Sequence, residues 1–290
     1  MFADIHSPLQ PLNFFHGYQV LVKRDDLIDP FISGNKWRKL KYILAEADRT
    51  GKNHLVTFGG AYSNHLVATA AACARNGLQS TAFVRGEAVE NEMLLLCKLY
   101  GMQLRFTDRL SYQNKPLLFD RYFGGDHAAL FVDEGGAGPH AVKGCAEIIA
   151  ELPADTSHLF CAAGTGTTAA GLLKGIQAAQ LKTILHVVPV LKGDDFISPE
   201  ILKYTGPDHR LRVHTGYHFG GYAKTSPALI EFIKYFIAHT GIMIDPVYTS
   251  KMCYALADLL KHNHFKPDDK IVALHTGGLL GLLGMKEKFH

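Results

Sequence analysis

A mostly parallel sheet covered by helices on both faces is the fold class that this 290-residue sequence predicts. Three observations predict it. Short apolar runs recur along the chain, each followed by a turn and then by a helical stretch with an apolar stripe. Two of those turns, Gly59-Gly-Ala-Tyr-Ser-Asn64 and Gly164-Thr-Gly-Thr-Thr168, come directly after strand-like runs and open helices. No internal repeat or low-complexity linker breaks the alternation. A strand that feeds a crossover helix returns parallel to itself, so the alternation builds α/β layers whose ligands gather at the carboxyl ends of the strands.

The first helix opens in SGNKWRKL, residues 33–40. Ser33 or Asn35 is expected as its N-cap, and Trp37, Leu40, Leu44 and Ala47 share one apolar stripe. Lys36 falls in the first turn, where a capping box would place Glu or Gln and where the helix dipole disfavours a cation by roughly 0.3–1 kcal/mol. Two readings stand there: a solvated lysine among Arg38, Lys39 and Lys41, or an amine kept neutral and therefore nucleophilic. Residues 54–58 (HLVTF) read as a strand leading into an Ala-rich helix that Gly77 closes. A strand over 80–84, a helix near 90–100 and a strand over 103–106 follow. Further on, HLFCAA (158–163) leads through the GTGTT loop into a helix ending near Ala179. Residues 184–190, 242–247 and 271–275 are further predicted strands, with a helix after Thr249.

Composition narrows the class. With 47% hydrophobic and 20% charged residues the chain reads as an ordinary globular protein, long enough for one large or two medium domains. The net charge is +3 and the basic residues are dispersed, so neither a nucleic-acid nor a membrane-surface footprint is expected. The sixteen histidines include no HExxH pair, and His262 and His264 would point to different helix faces, so no metal site is expected. Five cysteines without CxxC spacing, each in apolar context, suggest buried free thiols in a reducing compartment. The first residues, MFADIHSPLQPLNFF, lack the pattern of a secretory signal, and no apolar run reaches the ~18 residues of a membrane span. A cytoplasmic protein is expected.

Chemistry concentrates in the turns. In Gly164–Thr168 the glycines let backbone N–H groups approach an anion, and the threonines add hydroxyls at a helix N-terminus. The loop reads as a phosphate cradle. It also satisfies GxGxxA through Gly164, Gly166 and Ala169, so a dinucleotide-dependent oxidoreductase competes. That reading wants an acidic residue ending the next strand, where the chain has Val190-Leu-Lys192 and only later Asp194. In Gly59–His65, Ser63 and Asn64 are helix caps or, with the N–H groups beside them, holders of a carboxylate. Tyr248 in DPVYTSK and Thr276 in HTGG occupy two more ligand-side turns.

Together these residues resemble the pyridoxal-phosphate enzymes of the tryptophan synthase β type (fold type II), in the branch that holds D-cysteine desulfhydrase and 1-aminocyclopropane-1-carboxylate deaminase. VKRDDL, GNKWRKL, GGxxSNH, GTGTT, the Gly221–Tyr222 pair, DPVYTSK and HTGG carry the resemblance in order along nearly the whole chain. It implies two three-layer α/β/α domains with mostly parallel sheets: a smaller one over about residues 50–133, inserted into a larger one made of 1–49 and 134–290. It also implies that Lys36 bonds covalently to pyridoxal phosphate and that Asn64 meets the cofactor's phenolic oxygen. Gly164, Thr165, Gly166, Thr167 and Thr168 would take its phosphate, and Thr276 would stand at its pyridine nitrogen. Ser63, Asn64 and His65 would hold the substrate carboxylate, with Tyr222, Tyr248 and Thr249 also facing the substrate and Lys36, Ser63, Tyr222 and Tyr248 in catalytic roles. A small amino-acid substrate and a homodimer are the family expectation.

Two positions bear on substrate. The deaminases resemble one another in having Glu after the DPVY tyrosine and Leu before the last Gly-Gly, and the desulfhydrases have Thr at both. Thr249 and Thr276 therefore point to D-cysteine, cleaved by β-elimination to pyruvate, hydrogen sulfide and ammonia, with the cyclopropane deaminase as the alternative. A neutral hydroxyl at the pyridine nitrogen leaves the ring a weaker electron sink, which suits departure of a thiolate better than opening of a cyclopropane. The chain departs from the pattern at Tyr62, where Gln is usual, at Leu66 and Val67, which replace a polar pair, and at Ser250, which replaces Gly.

Overall fold

A computed structural model describes residues 5–15, 17–193 and 196–289. Strands Leu9–Pro11 (β1) and Gln19–Lys23 (β2) precede helix Asn35–Arg49 (α1). Next come His54–Gly60 (β3), Asn64–Arg75 (α2), Gln79–Arg85 (β4), Glu92–Leu99 (α3), Gln103–Thr107 (β5), Lys115–Phe123 (α4) and Ala129–Phe131 (β6). Pro139–Ala146 (α5), His158–Ala163 (β7), Thr167–Ala178 (α6), Ile184–Pro189 (β8), Ile197–Thr205 (α7) and Leu211–Val213 (β9) follow. Pro227–Thr240 (α8), Thr249–Lys261 (α9), Lys270–Leu274 (β10) and a 3₁₀ segment, Leu279–Lys288, complete the order.

The strands form two sheets, one ordered β1-β2-β10-β7-β8-β9 and the other β5-β4-β3-β6. Only the β1–β2 pair is antiparallel; the other seven described pairs are parallel. Burial on both faces explains the continuous apolar runs. Along β7, Phe160 and Ala162 pack beneath α8 and α9, whereas Leu159, Cys161 and Ala163 pack with α5, α6 and α7. β10 splits the same way, Ile271 and Ala273 against Val272 and Leu274. In the second sheet Leu55 joins α1 and α2 while Val56 and Phe58 meet α4. The architecture is two mostly parallel sheets flanked by helices, as the resemblance implies. All five cysteines are buried free thiols. No helix among the described residues is long and apolar enough to cross a membrane.

Two expectations need correction. Residues 242–247 form no strand, although Ile242 and Ile244 are buried as strand residues would be. Pro246 has no N–H to give a ladder, and side chains take the segment's polar groups: Thr240 Oγ1 accepts from Ile242 N at 3.1 Å, and Thr249 Oγ1 from Asp245 N at 2.8 Å. The Met243 carbonyl lies 2.6 Å from His275 Nε2. The apolarity reported core contact and not pairing. The N-cap of α1 is Gly34, at φ +62°, and no side chain caps the helix. Ser33 and Asn35 flank it. The stripe itself holds, with Leu40, Leu44 and Ala47 buried and Trp37 packed against them.

α1 is fixed from its far face. Arg38 donates from Nε to Asp25 Oδ2 at 3.1 Å and from Nη2 to Asp25 Oδ1 at 2.8 Å and Glu151 Oε2 at 2.9 Å. Lys23 reaches the same Glu151 oxygen at 2.7 Å. Two residues along a helix is about 200°, so this buried clamp leaves Lys36 pointing the other way.

One polar feature crosses the large sheet. His158, His186 and His214 lie on β7, β8 and the residue after β9, with His158 Nδ1 3.0 Å from His186 Nε2 and His186 Nδ1 2.9 Å from His214 Nε2. Asp269 Oδ2 lies 3.2 Å from His158 Nε2. A carboxylate only accepts, so His158 carries its proton on Nε2 and accepts at Nδ1, and the same assignment passes down the row. Burial lowers the pKa of all three, that of His186 to about 3. Because the folded chain holds these rings neutral, their stability is complete above the unfolded value of about 6.5 and is lost as pH falls below it. Well below that value His186 alone should cost about 1.4 kcal/mol per pH unit. Urea titrations from pH 8 to 4 should show this slope, and His186→Phe should flatten it by that amount while lowering stability at pH 8 by about 1–3 kcal/mol. Equal slopes in the two proteins would contradict the neutral row.

Candidate active site

The site begins where two turns interlock. A Cβ on Gly34 would sit 1.9 Å from the Thr276 carbonyl oxygen, and one on Gly277 would sit 2.2 Å from Ser33 Oγ. Both positions have positive φ, +62° and +75°. Only glycine satisfies the space and the backbone conformation together. Asn35 N donates to the Thr276 carbonyl at 3.3 Å, and α1 starts there.

Lys36, the second residue of α1, is half-buried. Burial, and then the neighbouring cation Lys39, push its amine down to about 7. Lys36 Nζ donates to Asn35 Oδ1 at 2.8 Å, and Asn35 Nδ2 donates to Thr168 Oγ1 at 2.9 Å. One amide thus joins the amine to the GTGTT loop. Lys39 is itself buried, with Nζ on the Gly135 carbonyl at 2.9 Å. The solvated-lysine reading does not describe Lys36.

In the GTGTT loop Gly166 is the N-cap of α6, at φ +78°, and the helix has no acidic residue in its first turn. A Cβ there would press on Ile197 and Glu200 at 3.3–3.4 Å. Gly164 lies under a ring: its Cβ would come 3.2 Å from Tyr248 Cε1. Thr165 Oγ1 and Thr167 Oγ1 are 3.1 Å apart. The first N–H groups of a 12-residue helix, with hydroxyls around them, make a place for a dianion. Asp194, which the dinucleotide reading would want as its acidic partner, lies outside the described residues.

The Ser63 turn supplies a second helix start. Ser63 is the N-cap of α2, but its hydroxyl caps nothing. Neither Ser63 nor Asn64 uses its side chain in a hydrogen bond to another described residue. His65 does. Its Nε2 lies 2.7 Å from Thr57 Oγ1, and that hydroxyl donates to the Val132 carbonyl at 2.9 Å, so the imidazole is the donor. Burial first, then Lys36 and Lys39, hold His65 neutral, well below the usual histidine range. The side chain of His65 is turned into the core, so what it offers a ligand is its backbone N–H at the helix start.

The third wall comes from α9. Asp245, fully buried, accepts from the N–H groups of Val247 (2.9 Å), Tyr248 (2.8 Å) and Thr249 (2.8 Å) and from Thr249 Oγ1 (2.7 Å). The Thr249 hydroxyl also receives Asp245 N. Thr249 is therefore wholly buried and closed on Asp245. Tyr248 follows with its ring over Gly164, 6.1 Å from the ring of Tyr222. Burial raises both phenols, Tyr248 well above its ordinary value, so they stand as neutral donors. Lys251 Nζ holds the turn before Tyr222 through the carbonyls of His218 and Gly221, both at 2.8 Å. Thr276 is 7% exposed, and its hydroxyl has no partner among the described residues.

Asn35, Lys39, Asp245 and Lys251 were missed by sequence reasoning. Asn35, Asp245 and Lys251 stand inside quoted motifs, GNKWRKL and DPVYTSK, and Lys39 was weighed only as a surface charge. Burial was the missing signal. Acylation of the cofactor-free protein with an amine reagent, mapped by peptide mass, should modify Lys36 with a midpoint near pH 7, against about 10.4 for an ordinary lysine. A midpoint near 10 would mean that the amine is solvated.

Comparison with known proteins accords with this geometry. A Thermotoga maritima protein provisionally named 1-aminocyclopropane-1-carboxylate deaminase is 30% identical over 97% of this chain and 95% of its own length. A Pyrococcus horikoshii protein of the same provisional name is 29% identical over 94% and 88%. A solved structure described as a homologue of that deaminase superposes with a TM-score of 0.88 at 27% identity, over all of this chain and 94% of the other. The family model described as pyridoxal-phosphate dependent enzyme matches residues 3–277. The dinucleotide reading of Gly164, Gly166 and Ala169 is thereby displaced, and the chain belongs to the pyridoxal-phosphate-dependent enzymes of fold type II.

Proposed function

We propose that the chain is a deaminating lyase of the 1-aminocyclopropane-1-carboxylate deaminase type, acting on a small amino acid at the junction of Lys36, the Ser63 turn and the two tyrosines. The observation that carries the proposal is the Lys36 amine near pKa 7, linked through Asn35 to an anion-binding helix start. The residues present fit pyridoxal phosphate: a dianion cradle at Gly164–Thr168, a neutral amine at Lys36, and unpartnered polar groups at Asn64 and Thr276. Bound there, the cofactor supplies an aldehyde that bonds to amines and a ring that accepts the electron pair released at Cα.

The chain's own groups do the rest. Gly164, Thr165, Gly166, Thr167 and Thr168 would hold the phosphate, Asn64 would take the phenolic oxygen, and Thr276 would serve the pyridine nitrogen. Ser63 Oγ and the N–H groups of Asn64 and His65 fix the substrate carboxylate. Lys36, poised near neutral pH, would move the proton that each reaction needs: from and to a ring methylene of the cyclopropane amino acid, whose Cα bears no hydrogen, or from Cα of D-cysteine. Tyr248 and Tyr222, protonated phenols, would donate toward the departing thiolate of D-cysteine or the ring carbon that opens in the cyclopropane amino acid. The strands of the smaller sheet all fall between residues 54 and 131, which supports a small body over about 50–133 set into a larger one.

The names of the relatives favour the cyclopropane amino acid, and the burial of Thr249 on Asp245 speaks against counting it among the positions that favour D-cysteine. D-Cysteine is the second reading, favoured by the free Thr276 hydroxyl. Purified protein should be incubated with 1-aminocyclopropane-1-carboxylate, D-cysteine and L-cysteine while ammonia, the 2-oxo acid and sulfide are assayed. Ammonia with 2-oxobutanoate supports the first reading, and pyruvate with sulfide the second. Lys36→Ala should lower either activity by about 10²–10⁴-fold. Ammonia release that survives Lys36→Ala would sink the assignment of that residue, and none from any of the three would sink both substrates.

A further inference from the structure

The segment Leu279–Lys288 is a 3₁₀ helix of ten residues, although such helices seldom exceed three or four residues because their hydrogen-bond geometry is poor. Its glycines, with the glycine before it, recur at positions 278, 281 and 284. A 3₁₀ turn holds three residues, so the three glycines stack along one edge. That edge faces the Ser63 turn. A Cβ at Gly278 would lie 3.1 Å from Asn64 Nδ2 and one at Gly281 3.9 Å from the same atom. One at Gly284 would lie 2.5 Å from Cδ1 and 2.6 Å from Cε1 of Tyr62. The bare edge runs outward from Asn64 to the Tyr62 ring.

The segment is tied across the site. It leaves the HTGG turn at the end of β10, Leu280 packs against α2 and α3, and Lys286 Nζ comes within 4.0 Å of Glu92 at the start of α3. Asn91 Nδ2 donates to the Ala61 carbonyl at 3.1 Å, which holds the turn of Tyr62 to the same helix. Tyr62 is 47% exposed, and its hydroxyl has no partner among the described residues. Hydrogen bonding therefore does not explain its placement. Contact with Gly284 does.

We propose that Tyr62 and Gly284 form the wall that limits the length of the substrate side chain, a proposal that rests on Ser63 and Asn64 marking the substrate end of the site. Tyr62 directly precedes Ser63, and its ring lies on the same glycine edge that passes Asn64, which sets it at the border of the space those residues would open. The ring cannot yield toward the strap, because the Gly284 backbone is already against it. Amino acids with short side chains fit inside, and longer unbranched ones meet the ring.

The test uses the cofactor-loaded protein and unbranched 2-amino acids from alanine to norleucine, in both enantiomeric series. Binding is read from the change in the cofactor's visible absorption, so turnover is not required. A methylene that meets a fixed wall changes binding by about 10–200-fold, so the parent should show a break of at least about 10-fold at one chain length. Tyr62→Ala should move the break to longer chains, and Gly284→Ala, which pushes the ring inward, to shorter ones. Tyr62→Phe should keep it. A break at the same length in all four proteins would overturn the proposal, and Gly284→Ala decides alone should Tyr62→Ala fail to fold. The two candidate substrates are assayed alongside. If neither is consumed and the break still moves, the substrate reading fails and the wall stands; if either is consumed and the break stays, the wall fails.

Discussion

The close approach of Gly34 to the Thr276 carbonyl is the constraint on which the site depends. It brings the start of α1 against the end of β10, two places more than 240 residues apart in the chain. With any side chain at position 34 the two backbones would part by ångströms, and Lys36 would leave the loop it reaches through Asn35. The buried Arg38 clamp acts on the opposite face of the same helix and fixes its rotation. One contact sets distance and the other sets direction.

The same geometry decides protonation. An amine at a helix start is already disfavoured as a cation, but that effect is screened and small at a surface. What lowers Lys36 most is loss of water, with Lys39 adding like charge. Lys39 can be kept near because the Gly135 carbonyl solvates it. His65, neutral and turned inward, adds no further charge. Asp245 is the nearby carboxylate, and its four donors hold it in place as the organiser of α9.

Much of this was legible in the sequence, and the parts that were not share a physical reason. The strand-turn-helix units, the GTGTT loop and the Ser63 turn are local patterns, and local patterns survive translation into structure. Residues 242–247 read as a strand because apolar content alone does not separate ladder from core. The resemblance sets Thr249 at the substrate, and a motif match carries no information about the hydrogen-bond partner of its hydroxyl. Only the fold shows that Asp245, four residues earlier, closes on it. β2 pairs with β10, a strand distant in sequence, and nothing in its own few residues announces the partner.

The pairing of β2 with β10, in register from Gln19↔Lys270 to Lys23↔Leu274, has a consequence for biosynthesis. The smaller sheet is complete once residue 131 has emerged, since all its strands lie before that point. The larger sheet cannot close until nearly the whole chain has left the ribosome, and β2 must wait for a neighbour some 250 residues downstream. Pairing over such a separation is slow and leaves strand edges open in the meantime. Because Gly34 and Thr276 meet only through that last closure, a nascent or truncated chain can hold every strand of the smaller sheet without having a place for the cofactor. Catalytic competence therefore arrives in a single late step.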